Sequence, residues 1–185
     1  MRWRESWRAD PAGRAVINNH YTRQSPDSAQ FVPPGRCVVL VIHEAREREV
    51  ALWITSWPYP QYVKHAWPGA WVCSAFRNQL RDASGRAVHQ SSGLITEAIA
   101  GTCWYWTPPA EGMITFVDPT KILPKRDPGR CFLRAGFHVA GKAPGCSCTP
   151  GPSAAQDGKP CLHLPVSAMP PPRAPLGAQA DLGLG

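Results

Sequence analysis

The sequence contains no long hydrophobic run. No stretch approaches the roughly 18 apolar residues of a membrane-spanning helix. The N-terminal MRWRESWRAD carries charge but lacks the apolar segment of a secretory signal. We therefore expect a cytoplasmic protein without a membrane partner, whose cysteines are reduced thiols.

Familiar catalytic and metal-binding patterns are also missing. The chain shows no repeat of fixed period, Walker loop, EF-hand pattern or Ser-His-Asp order. Cys146, Cys148, Cys161 and His163 form the motifs CSC and CLH. Zinc-binding pairs usually have two to four residues between their ligands, so the CSC spacing is unsuitable. We therefore predict no metal site.

The chain does contain enough apolar residues, 43% of 185, for one domain with a sizeable core. Its formal net charge of +7 suits a polyanionic partner such as nucleic acid or a phosphorylated cofactor, although a solvated basic surface explains it equally well. Proline and glycine dominate after residue 141. We therefore predict a domain over 1–141 and a largely disordered tail over 142–185, with 159–166 as a candidate last strand.

The order of hydrophobic patterns predicts a mixed α/β (α+β) fold. Residues 1–9 are amphipathic, with Trp3 and Trp7 on one helical face, and Asp10 is expected to cap a helix that begins at Pro11. A buried hairpin follows, and then a strand in which Trp71, Cys73 and Ala75 alternate with Val72, Ser74 and Phe76. The expected strands are 37–45, 50–57, 70–78, 113–118 and a short one at FHVAG, and the expected later helices are 91–101 and 127–136. Helices should cover a mostly antiparallel sheet.

The strand AWVCSAFRN, the helix SSGLITEAIA, the strand MITFVD and the unit DPGRCFLRAGFHVAG together resemble the GNAT superfamily of N-acetyltransferases over residues 10 to about 141. Within that superfamily NNHY, FRN, SSGLI and TFVD most resemble the divergent branch typified by the Mom DNA-modification proteins of phages and their bacterial relatives. The resemblance implies a group transferase with a small-molecule donor, acetyl-CoA or a related acyl donor. The Mom-like branch implies modification of adenine in DNA.

Two departures favour the Mom-like branch over an ordinary acetyltransferase. The diphosphate-binding loop of acyl-CoA enzymes is approached only by RDASGRA (81–87), which has one residue too many between Arg81 and Gly85. The tyrosine acid common in the last helix of such enzymes is replaced by Phe132, which cannot donate a proton.

Three residues are candidates for catalysis. His20 could act as a general base near neutral pH, and Tyr21 could orient a substrate base. Asp118 ends a buried strand, where a carboxylate could accept from an amine. Simpler interpretations are a tyrosine ring packed on the sheet and an aspartate that begins a turn.

Four residues are candidates for donor binding. Arg77 could bind phosphate, Asn78 could pair with an amide or base edge, and Ser91 and Ser92 could offer an anion site at a helix N-terminus. A solvated strand end and simple helix capping are the alternatives. Asp127 is expected to be an N-cap that begins the following helix.

A basic cluster is the candidate DNA-binding surface, together with the aromatic loop of residues 57–67. Its members are Lys121, Lys125, Arg126, Arg130 and Arg134. A basic rim over core aromatics is the alternative. Three functions follow from these features: a Mom-like DNA-modifying enzyme, an acetyl-CoA-dependent small-molecule N-acetyltransferase, and a non-catalytic nucleic-acid-binding module.

Overall fold

A computed structural model describes residues 2–20, 23, 28–32, 34–43, 50–63, 67–121, 127–140, 155–156 and 159–178. Three candidate site residues, Tyr21, Lys125 and Arg126, lie outside these ranges. Most of the candidate site residues, including His20, Arg77 and Asp118, lie inside them.

Within these ranges the chain forms a mixed α/β structure, which confirms the predicted fold class. The helices are α1 (Pro11–Ile17), α2 (Ser91–Tyr105) and α3 (Arg130–Arg134). The strands are β1 (Arg4–Ser6), β2 (Gly35–His43), β3 (Val50–Pro58), β4 (Trp71–Asn78), β5 (Met113–Phe116), β6 (His138–Val139), β7 (Ala155–Gln156) and β8 (Lys159–Leu164).

The sheet runs in the order β1-β2-β3-β4-β5-β8-β6, and β7 adds to β8. Every pair of neighbouring strands is antiparallel except β4 and β5, which are parallel. The predicted hairpin is confirmed, since β2 and β3 pair from Gly35 with Pro58 to His43 with Val50. Continuous apolar runs form these two strands because both of their faces are covered.

The two faces of the sheet carry separate cores. On the α2 face, Trp53 and Trp71 are fully buried with residues of α2. A buried chain of hydrogen bonds runs from Trp53 Nε1 to Thr55 Oγ1 (2.7 Å) and on to Thr102 Oγ1 (3.0 Å), which fixes α2 against the sheet. The α1 face carries two smaller apolar clusters, one under α1 around Leu52 and one around Ile114.

The N-terminal prediction is wrong. Residues Arg4–Ser6 form strand β1 instead of a helix, and the two tryptophans separate: Trp3 is fully buried, whereas Trp7 is 60% exposed. Trp3 Nε1 donates to the Leu94 carbonyl at 2.9 Å. In β1 the backbone of these residues forms hydrogen bonds with β2. A helix this short would not be stable by itself, because forming its first turn is unfavourable.

Helix ends were predicted with mixed success. Asp10 caps α1 as expected, accepting a hydrogen bond from Ala12 N at 2.8 Å. The cap of α2 is Gln90 instead of Ser91 or Ser92, and the helix continues past Gly101 to Tyr105. Buried packing of the α2 face outweighs the weak helix propensity of one glycine.

The last helix also begins later than predicted. Gly129 precedes α3, and the carbonyl of Asp127 accepts from Arg130 N at 3.2 Å, so Asp127 begins a turn and is not the N-cap. The Asp-Pro pair suits a turn as well as it suits a cap. Local sequence alone did not separate these two uses.

Part of the predicted tail belongs to the fold. Strand β8 lies between β5 and β6, and residues 165–178 run back across the domain. Arg173 N donates to the Ala100 carbonyl (3.0 Å) and Leu176 N to the Trp3 carbonyl (2.8 Å). The proline-rich segment is extended, and backbone hydrogen bonds join it to the domain. Such contacts do not require a hydrophobic period in the sequence. The candidate last strand over 159–166 is therefore present as β8, and residues 165–178, which were expected to be largely disordered, also contact the domain.

Candidate functional site

The parallel strands β4 and β5 diverge at their carboxyl ends. They pair at two positions, Trp71 with Met113 and Val72 with Ile114, and then β4 continues to Asn78 and β5 to Phe116. Clefts at the carboxyl ends of parallel strands are frequent ligand sites, because two backbones present loops and polar ends to one opening. We take this cleft as the candidate site.

A β-bulge at Ser74 decides which side chains face the cleft. Ile54 pairs with Ala75 and Thr55 with Cys73, so Ser74 is an extra residue on β4. The predicted alternation fails after this point: Ala75 joins the α1-face core, and Phe76 packs on the α2 face. Arg77 therefore lies on the α1 face opposite Leu52.

The structure brings His20 and Arg77 together. His20 is 9% exposed, at the end of α1. Burial, assisted by the positive charge of Arg77, lowers the pKa of His20 to about 4. His20 is therefore neutral at physiological pH but much less basic than a general base poised near pH 7. The predicted role of His20 as a general base near neutral pH stays a prediction, and the lowered pKa makes its imidazole a weaker base than the prediction assumed.

Asn78 is turned to the α2 face and organises the start of α2. Its amide nitrogen donates to the His89 carbonyl (3.1 Å) and Ser91 Oγ (3.2 Å), and its oxygen accepts from Leu80 N (3.1 Å). Both ends of the side chain are therefore used within the protein. Ser92 lies beside Ser91 in the first turn of α2, half-buried.

The loop between β4 and α2 is closed around Asp82. The carboxylate oxygen Oδ1 of Asp82 accepts from Ser84 N (2.8 Å), Ser84 Oγ (2.6 Å) and Arg86 N (3.0 Å). Gly85 N donates to the Asp82 carbonyl at 2.9 Å. These bonds lower the pKa of Asp82, Ser84 foremost. The amides of Ser84 and Arg86 are therefore bonded to the Asp82 carboxylate, and that of Gly85 to the Asp82 carbonyl.

Asp118 adopts the turn geometry that was the simpler interpretation. Its Oδ1 accepts from Thr120 N (3.0 Å) and Thr120 Oγ1 (2.7 Å), and the hydrogen bonds from Thr120 lower its pKa, with smaller contributions from Lys159 and Lys121. The charges of Lys159 and Lys121 thus act on the pKa of Asp118, whereas the charge of Arg77 acts on the pKa of His20. Arg77 lies one residue before the end of β4, and Asp118 lies two residues past the end of β5, which is shorter than the predicted strand 113–118. The structure shows no direct contact between Arg77 and Asp118.

The cleft is closed on the α2 face. Thr115 Oγ1 donates to the Cys73 carbonyl at 3.1 Å across the diverging strands. Below it the rings of Phe76, Phe132 and Phe137 pack edge to face, with centroids 6.0 and 5.3 Å apart. Phe132, where the resembling enzymes have a tyrosine, is a core residue.

Arg130 and Arg134 are exposed on α3, on the opposite side of the sheet from Arg77. These two arginines therefore lie away from Arg77, whereas Lys125 and Arg126 of the predicted basic cluster lie outside the described residues. Lys121 is also exposed. It lies close enough to Asp118 for its charge to lower the pKa of that carboxyl group.

Sequence reasoning missed a hydroxyl pair at the cleft. Ser74 Oγ donates to Ser56 Oγ at 2.8 Å, on the α1 face. It was missed because the bulge has no signature in the sequence. A second polar group lies farther along the sheet, where the rings of His163 and Trp67 stack at 4.5 Å and His163 contacts His138.

The described part of the chain holds no group of three or more His, Cys, Asp or Glu side chains suited to a metal ion. Among those same residues no helix is long and apolar enough to cross a bilayer. No protein-family model, no curated protein and no solved structure matches this chain.

Proposed function

We propose that the protein is a GNAT-like group transferase of the Mom-like kind, which modifies adenine in DNA. The observation that carries the proposal is the parallel β4–β5 pair in an otherwise antiparallel sheet, whose diverging ends are packed with aromatic rings on the α2 face and carry Arg77 on the α1 face. Arg77 and a neutral His20 lie on that face. The resemblance of FRN and TFVD to the Mom-like branch concerns the ends of these same two strands.

The closed loop at Asp82 favours this kind of transferase over an acetyl-CoA enzyme. An acyl-CoA site needs free backbone amides in this loop to hold a diphosphate. Here the amides of Ser84, Gly85 and Arg86 bond to Asp82, and its ionised carboxylate would repel a diphosphate. The donor is therefore an activated acyl compound bound without this loop.

The transfer is an attack of the acceptor amine on the acyl carbon of that donor. The nitrogen–carbon bond forms, the bond from the acyl carbon to the leaving group breaks, and the leaving group departs with its electron pair. The amine proton passes to the ionised carboxylate of Asp118 or to water. Neutral His20 and Arg77 contribute mainly position and charge, so catalysis rests on proximity more than on a strong base.

DNA is the proposed acceptor because the chain carries a net charge of +7 and the cleft rim carries exposed Arg77. A duplex base is out of reach unless it is flipped from the stack. Phosphate contacts by such cations would make binding fall with salt.

Nucleoside mass spectrometry on DNA from bacteria that express the protein tests the proposal. We expect a modified deoxyadenosine with the wild type, at least a tenfold loss with Arg77→Ala, and no loss with Arg14→Ala, an exposed arginine of α1. Unmodified DNA from soluble, folded protein would refute the enzymatic proposal.

Two binding measurements separate the alternatives. Micromolar binding of acetyl-CoA by calorimetry would favour the small-molecule acetyltransferase. Salt-dependent DNA binding without modified nucleosides would favour the non-catalytic module.

A further inference from the structure

Two histidine rings meet at the edge of the sheet, and the transferase proposal uses neither of them. His138 of β6 lies opposite His163 of β8 in the antiparallel register, and β6 is the last strand in the sheet order. The ring nitrogens His163 Nδ1 and His138 Nε2 are 3.3 Å apart. Both side chains are half-buried and the neighbouring Val139 is exposed, so the pair lies at the protein surface.

The proton of His163 is committed on the far side of its ring. His163 Nε2 lies 2.9 Å from the carbonyl oxygen of Glu111, which can only accept, so Nε2 carries the hydrogen. Burial lowers the pKa of His163, although the hydrogen bond to Glu111 opposes this shift. The ring is therefore neutral at physiological pH, and Nδ1 presents a lone pair toward His138.

The surroundings of His163 are those of a metal-binding histidine. In such histidines the ring nitrogen that does not bind the metal donates to a carboxylate or a backbone carbonyl, which fixes the tautomer and the ring orientation. The Glu111 carbonyl takes this place here. The ring of Trp67 stacks on His163 with centroids 4.5 Å apart, which holds the plane of the imidazole. The nitrogen that faces His138 is the one left to bind an ion.

The separation of the two nitrogens fits a shared metal ion. An N–H donor normally lies about 2.7–3.2 Å from its acceptor, and the two rings are slightly farther apart than this, at 3.3 Å. Two nitrogens bound to one tetrahedral Zn²⁺ at about 2.0–2.1 Å are about 3.3–3.4 Å from each other. An ion between the rings therefore requires no change in the distance between them.

We infer that His138 and His163 form a binding site for Zn²⁺, with two imidazole ligands and water in the remaining positions. The described residues offer no group of three or more His, Cys, Asp or Glu side chains there, so binding is weaker than at a zinc site with three or four protein ligands. No cysteine takes part, which distinguishes this site from the CSC and CLH combination. The ion joins the edge strand β6 to β8, and the inference does not depend on the transferase activity.

Zinc titration of the metal-free full chain, followed by NMR of isotope-labelled histidine ring nitrogens, tests the site. Zn²⁺ should shift the resonances of His163 Nδ1 and His138 Nε2, because these two atoms are the ligands. Mg²⁺ prefers oxygen ligands and should shift neither resonance. The chain has seven cysteines that could also bind zinc, but zinc bound only there would leave both resonances unchanged and would overturn the inference.

Two variants measure the contribution of the pair. His138→Gln should weaken zinc binding by at least about tenfold, because one of only two protein ligands is lost. His43→Gln changes an exposed histidine of β2 and should bind zinc as the wild type does. Zinc should raise the melting temperature of the wild type and of His43→Gln, but not that of His138→Gln.

Melting without zinc shows whether each variant is folded. Equal zinc affinity of the wild type and of folded His138→Gln would overturn the inference. If His138→Gln does not fold, the NMR titration of the wild type still decides the question, because it reports on the two ring nitrogens directly.

Discussion

Replacing His20 with glutamine should remove a large part of the acid sensitivity of folding. In the folded protein burial and Arg77 lower the pKa of this histidine from its ordinary 6.5 to about 4. In the unfolded chain the imidazole returns to its ordinary value. Between these two pKa values the unfolded state binds a proton that the folded state does not bind, so stability falls as pH falls.

The magnitude follows from the two pKa values. Between pH 7 and pH 5 the unfolded chain gains about 0.7 of a proton at this position, and the folded protein with its pKa of about 4 gains about 0.1. Integrating the difference gives a loss of about 2 kcal/mol in the free energy of unfolding. That is a substantial fraction of the about 5–15 kcal/mol that stabilises a typical domain.

Urea denaturation of the wild type and of His20→Gln at pH 5, 6 and 7 measures the effect. The wild type should lose about 2 kcal/mol more than the variant over this range. His43→Gln changes an exposed histidine at the end of β2 and is the matched control, which should follow the wild type. Equal losses in the wild type and His20→Gln would refute the claim that His20 is buried as a neutral imidazole.

Two further predictions concern the packing that holds the cleft. Gly112→Ala should destabilise the protein by about 2–4 kcal/mol in thermal melts, because φ is +71° there and a Cβ would collide with the Leu164 carbonyl oxygen. The control is Gly93→Ala in α2, where a Cβ would meet open space. This variant should be neutral or slightly stabilising in the same measurement. Thr102→Val should cost about 1–2 kcal/mol by removing the buried hydrogen bond to Thr55 Oγ1, and an unchanged melting temperature would contradict this.

Local patterns sufficed for several elements. The β2–β3 hairpin was predictable because two apolar runs flank a charged turn, and the start of α1 was predictable because Asp10 and Pro11 favour a cap and a first helical position. These preferences act over a few residues. They hold wherever the tertiary environment does not oppose them.

The candidate site was only partly predictable. The prediction that β4 and β5 are neighbouring strands is confirmed, and Arg77 lies near the end of β4, but Asp118 lies two residues beyond the end of β5. The hydroxyl pair of Ser56 and Ser74 was not expected, because it depends on which residue of β3 lies opposite β4. The pKa of His20 likewise depends on burial and on Arg77, which is distant in sequence.

From α1 to β6 the order of strands and helices could be predicted from the sequence, because hydrophobic period and turn chemistry are local properties of the chain. The position of Arg77 on the α1 face depends on the folded sheet, since a single extra residue at Ser74 reverses the alternation of every later side chain on β4. The tertiary structure also decided that β8 enters the sheet between β5 and β6. Strand pairing is a contact between distant segments, and its register is settled only when both partners and the packing on their faces are present.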